Sequence, residues 1–439
     1  MRVLLIGHGA REHAIAEAFR RNKSVELFSY MKSKNPGIFS LSKHIEIGSY
    51  SDMERIKKFA CENEIDFAFI GPEDPLSFGV VDALGEEGIN AVGPTKLMAR
   101  LETSKSFTRE LVQKYNIDGN PNFKVFNRDN FDEIKLFMDE LEEVVVKPDG
   151  LTAGKGVKVQ GDHFNTKEDA LDYCREVLET HPSVIVEEKL EGEEFSLQCL
   201  TDGKTVVATP PVQDHKRAYE DDFGPNTGGM GSYSCENHLL PFLKKEHVDK
   251  ALEITKKVAK AITEETELYY KGVMYGGFIL TKKGVKLVEY NARFGDPEAM
   301  NILPILRTDL AGICHAIITQ ELSRVKVEFE KKATVCKYVV PTGYPGNPLK
   351  NEKIEIAKSN GGGNGAAKVY YASVEQRNNE LYMAGSRAIG FLGIGDNLEE
   401  AEKIAEEGAS SVKGKVFHRK DIGTKALIGK RVAHVKSFL

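Results

Sequence analysis

The first hundred residues alternate short apolar runs with amphipathic segments. Residues 3–6 and 67–70 have the apolar composition of buried strands, and residues 12–21 between them have the periodicity of a helix. This alternation predicts a doubly wound α/β domain with a parallel sheet. The loops after the two strands, residues 7–10 and 71–75, are then expected at the edge where such sheets bind ligands.

The pattern changes after this domain. Residues 143–147, Glu-Val-Val-Val-Lys, are predicted as a strand that ends in a lysine. Residues 168–179 are typical of a helix and residues 184–188 of a strand, so we expect a small α+β lobe. Strands are predicted again at 195–200, 277–280 and 286–289, with a long helix near 245–264, and a last α+β segment begins near residue 330. The predicted fold is therefore multidomain, α/β followed by α+β.

Composition excludes several classes of protein. The chain has 439 residues, of which 29% are charged and 41% hydrophobic, and this balance is ordinary for a soluble globular protein. The net charge of −6 argues against a basic surface for duplex nucleic acid. The six cysteines are widely spaced, which favours reduced thiols over disulfides or a zinc site. No apolar run is long enough for a membrane span and the chain begins directly as a strand, so we expect a cytoplasmic enzyme.

The polar residues that follow one predicted strand are the first candidates for a functional site. Residues 285–288, Val-Lys-Leu-Val, form a mostly apolar run that we interpret as the second strand of a hairpin. This run leads into Glu289, Asn291 and Arg293. Residues two apart on a strand share a face, so Glu289 and Asn291 present two oxygen ligands side by side, which suits a hard cation such as Mg²⁺. Arg293 adds a planar donor for phosphate or carboxylate. The competing interpretation is a polar strand end with a surface salt bridge.

Two glycine-rich segments bear on nucleotide binding. The first segment contains Gly7 and Gly9, but it has Glu12 at the position where a dinucleotide-binding fingerprint needs a third small residue. We therefore do not expect a nicotinamide cofactor. A phosphate-bearing substrate at the following helix remains open. Residues 150–156 do not have Walker A spacing, but their glycines let the backbone approach phosphate, and Lys147 and Lys155 supply charge. The alternative is a flexible hairpin tip with solvated lysines.

Three further segments are hard to explain as plain structure. Residues 187–194 form an acidic run after a strand, for which a solvated turn is the alternative. Residues 213–217, Gln-Asp-His-Lys-Arg, concentrate polar groups after two prolines. Residues 224–231 contain four glycines in eight residues. We expect this last segment to form neither helix nor strand and to suit a backbone nest around an anion.

The order of these segments resembles that of ATP-grasp ligases: a lysine-ended strand, a glycine-rich loop, an acidic hinge and a late Glu-x-Asn-x-Arg strand. Within that superfamily, the chain resembles the phosphoribosylamine–glycine ligase family over nearly its whole length. The segments at 213–217 and 224–231 separate this family from carboxylases and D-alanine ligases. Further matching segments lie at residues 7–13, 71–76, 104–107, 147–157, 291–298 and 419–423.

The resemblance implies four parts. They are an N-terminal doubly wound α/β substrate-binding domain (1–104), a central ATP-grasp catalytic domain (105–124 and 193–327), a mobile ATP-grasp lid (125–192) and a C-terminal α+β domain (328–439). It also implies ATP between lid and central domain, with Mg²⁺ or Mn²⁺. The implied partners are the small molecules glycine and 5-phosphoribosylamine, without nucleic acid or membrane, in a monomer or weak homodimer.

The resemblance also implies roles for matching residues. Lysines and a glycine-rich loop would hold the ATP phosphates, Glu187 and the Leu190 backbone the adenine edge, and Glu194 the ribose. The implied ATP contacts are Lys105, Lys147, Gly154, Lys155, Gly156, Glu187, Leu190 and Glu194. The implied metal ligands are Glu289 and Asn291, and the implied catalytic residues are Lys147, Arg293 and Asp214. The implied substrate contacts are Gly9, Glu73, Asp214, Gly229, Arg293 and Asp296.

The implied reaction joins glycine to 5-phosphoribosylamine through a glycyl phosphate, in de novo purine biosynthesis, giving glycinamide ribonucleotide, ADP and phosphate. Two features depart from the family pattern. The strand before the metal strand, residues 275–280, offers no third metal ligand, and Pro148 replaces a small residue. Two alternatives remain: an ATP-grasp ligase for another substrate, and a catalytically silent nucleotide-binding module. The retained lysines and metal ligands favour an enzyme.

Overall fold

The computed structural model describes residues 1–151, 156–357 and 365–439. Its first domain is a parallel sheet in the order β3-β2-β1-β4-β5, as the alternating pattern predicted. The strands are β1 (Arg2–Ile6), β2 (Glu26–Met31), β3 (His44–Ile47), β4 (Phe67–Ile70) and β5 (Asn90–Val92). The helices are α1 (Ala10–Arg20), α2 (Pro36–Leu41), α3 (Met53–Glu62), α4 (Glu73–Phe78), α5 (Val80–Glu86) and α6 (Arg100–Thr103). The strand order reverses between β1 and β4, so the loops after these strands meet at the switch point.

A small antiparallel sheet with its own core follows. After α7 (Lys105–Lys114), the elements are β6 (Phe123–Phe126), α8 (Glu133–Asp139), β7 (Val144–Pro148), β8 (Lys158–Val159), α9 (Lys167–Thr180) and β9 (Val184–Glu188), with sheet order β6-β9-β7-β8. Val144 and Val146 point into the core formed with α8 and α9. Because strand residues alternate between faces, Lys147 and Glu187 lie on the opposite face, away from that core.

The central sheet is antiparallel, in the order β11-β10-β16-β17. The elements are β10 (Glu193–Thr201), β11 (Val206–Ala208), β12 (Gln213–Asp214), β13 (Arg217–Tyr219), β14 (Phe223–Asn226), β15 (Gly231–Ser234), α10 (Lys245–Thr266), β16 (Gly272–Thr281), β17 (Gly284–Asn291), α11 (Glu298–Ile302) and α12 (Leu310–Thr319). The predicted hairpin is β16–β17, and the predicted long helix is α10. One prediction is wrong: residues 223–226 form β14, paired with β13, because backbone pairing overrides the poor strand composition of the glycine-rich segment.

A β-bulge in β17 decides which side chains lie on the face of the central sheet that points away from the main core. The space between this face and Lys147 of β7 is called the cleft below. Phe278 pairs with Leu287 and Gly277 pairs with Glu289, so Val288 is the extra residue. Leu287 is fully buried in the main hydrophobic core. Strict alternation would place Glu289 on that same core side, whereas the bulge turns it to the opposite face. The local backbone irregularity therefore delivers a carboxylate to the cleft.

The C-terminal region completes a sheet that the central segment begins. Its elements are β18 (Ala333–Pro341), β19 (Lys353–Ile356), β20 (Lys368–Tyr371), β21 (Val374–Arg377), β22 (Glu380–Met383), β23 (Ile389–Gly395), α13 (Leu398–Ser410), β24 (Val412–Lys413), β25 (Val416–Phe417) and α14 (Lys425–Phe438). The larger sheet runs β12-β15-β18-β23-β20, with β25 also on β18. A second sheet runs β21-β22-β19-β24. Across the described ranges, no helix combines the length and apolarity needed to cross a bilayer.

Candidate active site

The loop after β1 is held by Glu12, a residue in the first turn of the following helix α1. Glu12 accepts hydrogen bonds from the Gly9 backbone N–H at 2.6 Å and from Arg11 Nε at 2.5 Å. Gly7 has φ +140°, and a Cβ there would lie 2.3 Å from Glu12 Cγ, so only glycine leaves room for this carboxylate. Glu12, the residue that departs from the dinucleotide fingerprint, therefore occupies the turn between β1 and α1 with its side chain, beside the N-terminus of α1.

Ion pairs and a hydrogen bond connect the two N-terminal loops to the residues at the end of β17. Arg293 Nε lies 3.2 Å from Glu73 Oε2, and Arg293 Nη2 lies 2.8 Å from Glu102 Oε1. Arg11 donates to the Phe294 carbonyl at 3.1 Å. Burial opposes ionisation of Glu73, but Arg293 and Arg11 lower its pKa to about 2. These contacts fix the guanidinium of Arg293 between two carboxylates, of which Glu102 was not a predicted site residue.

Glu187 is the centre of a buried ion cluster. Its two carboxylate oxygens accept from Arg109 Nε at 2.7 Å and Arg109 Nη2 at 3.0 Å, and Lys147 Nζ lies 2.6 Å from Oε2. Arg109 and Lys147 also donate to the carbonyl of the bulge residue Val288, at 2.7 Å and 3.3 Å. Burial opposes ionisation, but the two cations lower the pKa of Glu187 to about 2. Sequence reasoning missed Arg109, although it lies one helical turn after the predicted Lys105.

Glu289 and Asn291 share the cleft face of the central sheet, as predicted. Glu289 pairs with Gly277 and Asn291 pairs with Tyr275 on the neighbouring strand, beyond the bulge. In the part of the chain that the structure describes, Glu289 forms no ion pair with a protein cation within 4 Å, so the alternative of a surface salt bridge loses its support. Burial opposes ionisation, but nearby lysines, first Lys216 and then Lys147, hold the pKa of Glu289 below its usual value. An ionised carboxylate beside an amide oxygen fits a hard divalent cation.

The predicted phosphate lysine Lys105 begins α7. Its Nζ donates to the Gly150 carbonyl at 2.6 Å and to the Pro148 carbonyl at 3.3 Å, and burial lowers its pKa. The lysine therefore lies directly under the start of the predicted glycine-rich loop. Gly154 and Lys155 of that loop lie outside the described residues. Gly156 is described, and its carbonyl accepts from Tyr173 at 2.7 Å.

The predicted adenine and ribose residues flank the connection from β9 to β10. Leu190 lies just after β9 and is half-buried. Glu194 is exposed on β10 and pairs with Lys216 at 2.9 Å. Its negative charge is the main cause that raises the pKa of Lys216. The adjacent Glu193 is buried and contacts His434 of the C-terminal helix at 2.7 Å.

Asp214 and Gly229 lie against each other. Asp214 Oδ1 accepts from the His215 backbone N–H at 2.8 Å. Gly229 has φ +104°, and a Cβ there would approach Asp214 Oδ1 to 2.6 Å and Pro297 Cδ to 2.7 Å. The glycine-rich segment at residues 224–231 thus packs on Asp214 and on Pro297 in the loop that follows β17. Burial, reinforced by the charge of Glu298, raises the pKa of Asp214 well above its usual value.

Asp296 is held by the C-terminal region. Its Oδ1 accepts from Tyr338 Oη at 2.5 Å and lies 3.3 Å from Arg387 Nη2. Arg387 also donates to the carbonyl of Gly229 at 3.0 Å and stacks over the Tyr338 ring, 4.5 Å from its centroid. Arg387 was not predicted, because its partners Asp296 and Gly229 lie 91 and 158 positions earlier in the chain. It joins two of the predicted substrate segments.

Comparison with known proteins assigns the family. Three family profiles match consecutive parts of the chain: phosphoribosylglycinamide synthetase N domain over residues 1–102, ATP-grasp (A) domain over 103–299, and C domain over 334–425. A phosphoribosylamine–glycine ligase of Methanocaldococcus jannaschii is 52% identical, covering 98% of both chains. That of Methanobrevibacter smithii is 49% identical over 100% of both. The chain belongs to the phosphoribosylamine–glycine ligase family.

Solved structures agree with this family and its ATP-grasp fold. A phosphoribosylamine–glycine ligase from Thermotoga maritima superposes with a TM-score of 0.79 at 27% identity, covering 96% of this chain and 100% of that one. A biotin carboxylase from Campylobacter jejuni superposes with a TM-score of 0.75 at 13% identity, covering 99% and 98%, which shows a shared fold alone. The predicted α/β and α+β multidomain fold is thereby confirmed, and the family is that of an ATP-dependent ligase.

Proposed function

We propose that this chain ligates glycine to 5-phosphoribosylamine with ATP, giving glycinamide ribonucleotide, ADP and phosphate, as a step of de novo purine biosynthesis. The observation that carries this proposal is the cleft face of β17. There an ionised Glu289, without a protein ion pair in the described residues, lies among Lys216, Lys147 and Lys105 within a chain of the ligase family.

The chemistry needs an activated carboxylate. A carboxylate is a poor acyl donor, so the glycine carboxylate takes the terminal phosphoryl group of ATP and becomes glycyl phosphate. The amine of phosphoribosylamine then attacks the acyl carbon, and phosphate leaves. No covalent enzyme nucleophile is required, since positioning and charge neutralisation carry the rate. Lys147 and Arg293 supply the neutralising charge.

The proposed ATP contacts are those that the family resemblance implies. Lys105 and Lys147 would meet the phosphates, covered by the loop with Gly154, Lys155 and Gly156. Leu190 would meet the adenine edge through its backbone, and Glu194 the ribose. The Glu187 carboxylate accepts from Arg109 and Lys147, so its contact with adenine would come from its main chain while its charge positions the lysine.

A divalent cation, Mg²⁺ or Mn²⁺, fits Glu289 and Asn291, which offer one charged and one neutral oxygen. The cation would supply further neutralisation of the ATP phosphates. No cluster of three or more His, Cys, Asp or Glu residues suited to a metal occurs among the described side chains, so water and phosphate would complete the coordination. The substrate contacts are assigned to Gly9, Glu73, Asp214, Gly229, Arg293 and Asp296.

The wider arrangement is also part of the proposal. Residues 125–192 act as a mobile lid over the central domain (105–124 and 193–327), between the N-terminal (1–104) and C-terminal (328–439) domains. Lid closure would shield glycyl phosphate from water. The enzyme is expected in the cytoplasm as a monomer or weak homodimer.

Product identification tests the function. The protein is incubated with ATP, glycine and freshly generated phosphoribosylamine, and the products are identified by mass spectrometry. We expect glycinamide ribonucleotide in a one-to-one ratio with ADP, and none when either substrate is omitted. Equal turnover with an unrelated acid and amine would favour another ATP-grasp ligase. ATP binding without any turnover would favour a silent nucleotide-binding module.

A further inference from the structure

The proposed lid, residues 125–192, is connected to the rest of the chain at one corner. The chain enters it at β6 and leaves it after β9, and these two strands are neighbours in the lid sheet, whose order is β6-β9-β7-β8. β8 is therefore the opposite edge of this sheet, two strand spacings or about 10 Å from β9. A contact at that far edge restricts rotation of the lid about its connections more strongly than a contact beside them.

The turn after β8 makes such a contact. Asp162 in this turn forms an ion pair with Arg217 of β13 in the central domain. Among the described residues, side-chain hydrogen bonds and ion pairs join the lid to the chain beyond residue 192 at one other place, where Lys147 donates to the Val288 carbonyl at 3.3 Å. That second contact lies inside the cleft, whereas Asp162 and Arg217 meet at the free edge of the lid.

The turn that carries Asp162 is held by its own hydrogen bonds. The Gly161 N–H donates to the Phe164 carbonyl at 2.9 Å, and the His163 N–H donates to the Val159 carbonyl at 2.9 Å. The Val159 N–H donates in turn to His163 Nδ1 at 3.2 Å. Because these bonds connect the turn to β8, Asp162 has a defined position on the lid.

The hairpin that carries Arg217 is held from the other side by the C-terminal region. Arg217 Nη1 donates to the Gly224 carbonyl at 3.0 Å across the hairpin. The Arg217 carbonyl accepts from Arg419 Nη1 at 3.1 Å, and Arg419 also pairs with Asp222 of the same hairpin at 2.9 Å. Arg419 is 1% exposed, so this anchor is buried. Arg217 therefore offers the lid a fixed point on the body of the protein.

Arg217 ends the polar segment at residues 213–217 and has no role in the function proposed above. We propose that the ion pair between Arg217 and Asp162 holds the lid closed during the reaction, which makes both of them positioning residues; this inference rests on the lid role in that proposed function. The two side chains are 25% and 44% exposed, so the pair contributes modestly. A contact of this strength favours the closed lid and still permits opening for product release.

The pair has a chemical consequence for glycyl phosphate. If water reaches the acyl carbon, it adds there, the bond from carbon to the phosphate oxygen breaks, and glycine and inorganic phosphate are released. ATP is then consumed without ligation. A closed lid excludes this water, so the amine of phosphoribosylamine is the nucleophile that reacts.

The rate of nucleotide release tests the proposal. Fluorescent N-methylanthraniloyl-ADP is bound to the enzyme with Mg²⁺ and displaced by unlabelled ADP in a stopped-flow instrument. Asp162→Ala and Arg217→Ala should each raise the dissociation rate constant roughly two- to fivefold, the range for a partly exposed ion pair. The double variant should not exceed the larger single effect, because both substitutions remove the same contact. Asp172→Ala, which removes a carboxylate paired with Arg175 within the lid helix α9, is the control and should match the wild type.

A second readout measures the access of water to the intermediate. With phosphoribosylamine limiting, Asp162→Ala should release more phosphate per glycinamide ribonucleotide than the wild type does. The difference in nucleotide release between Asp162→Ala and the wild type should also shrink with added KCl, because salt screens the ion pair.

The outcomes separate this proposal from the proposed function. An unchanged dissociation rate constant in Asp162→Ala would overturn the lid contact, and so would additive effects in the double variant or an equal rise in Asp172→Ala. A wild type that forms no glycinamide ribonucleotide would contradict the proposed function, while nucleotide release, which needs no turnover, would still decide the lid contact. If thermal unfolding shows that Asp162→Ala does not fold, Asp162→Lys, which places like charges together, carries the same expected rise and the same contradicting result.

Discussion

Glu187 and Glu289 are both carboxylates near Lys147, but they differ in whether a protein cation contacts them directly. Glu187 is 2% exposed and is neutralised by Arg109 and Lys147 in direct contact. Glu289 lies among several lysines but pairs with none of them within 4 Å in the described ranges. A carboxylate whose charge is neutralised by protein cations stabilises the fold. A carboxylate that has no cation in direct contact is available to a ligand. The difference separates the scaffold of the site from its reactive part.

The two positions also arise differently from the sequence. Glu187 follows regular alternation along β9, so its face could be derived from the apolar residues Val184 and Val186. Glu289 reaches the cleft only because Val288 forms a bulge. The same bulge exposes the Val288 carbonyl to Arg109 and Lys147. One backbone irregularity thus turns Glu289, the proposed metal ligand, away from the core and gives Lys147, the proposed phosphate lysine, a backbone contact.

Lys147→Met should give the largest effect on activity. The substitution keeps the length of the side chain but removes the charge that meets the phosphates, so we expect kcat to fall roughly 10²–10³-fold. Arg109 remains on Glu187, so the fold should persist. Steady-state kinetics with circular dichroism would measure both. Lys189→Met, which affects the lysine that follows β9 and pairs with Glu143, should stay near wild type, and near-full activity of Lys147→Met would refute the phosphate role.

Glu187→Gln should act on stability and depend on pH. The pKa of Glu187 is lowered to about 2 from 4.5, so its ionised form contributes on the order of 3 kcal/mol to folding above pH 4.5. Because the folded pKa is depressed, this contribution is lost as pH falls from about 4.5 to about 2. Urea unfolding should show a large difference from wild type at pH 7 that narrows at pH 3. A difference that does not change between these pH values would show that Glu187 is not the scaffold charge.

Glu289→Gln should give a smaller effect that added metal reverses. The amide keeps one oxygen but loses the charge that attracts a hard cation, and Asn291 carries no charge to replace it. We expect the half-saturating Mg²⁺ concentration to rise by at least the roughly 10–100-fold that loss of an outer-shell partner causes elsewhere. Glu375→Gln, which removes a half-buried carboxylate of β21 that pairs with Arg377, is the matched control. Superimposable Mg²⁺ titrations of Glu289→Gln and wild type would end the metal assignment.

Much of the fold could be predicted because it depends on local patterns. The parallel N-terminal sheet, α9, α10 and the β16–β17 hairpin follow from apolar periodicity and turn residues. The strand at 223–226 could not, since its pairing with residues 217–219 outweighs a glycine-rich composition. The sharing of one sheet between β12, β15 and the C-terminal strands also depends on contacts more than a hundred residues apart.

Part of the candidate site follows from local patterns. Lys147 and Glu187 lie on the strand face that regular alternation gives them. Alternation also places Glu289 and Asn291 on one face, but that this face lies away from the core depends on the bulge at Val288. Arg109, Glu102 and Arg387 were missed as site residues because their partners come from distant segments.

Oxygen transfer from glycine to phosphate tests most directly whether this cleft activates the glycine carboxylate. Glycine labelled with ¹⁸O in its carboxylate is converted with ATP and phosphoribosylamine, and the released inorganic phosphate is analysed by mass spectrometry. If glycyl phosphate forms, the bridging oxygen leaves with the phosphoryl group, so each phosphate should carry one oxygen from glycine, and glycinamide ribonucleotide should keep the other. Unlabelled phosphate beside a fully labelled product would contradict the account.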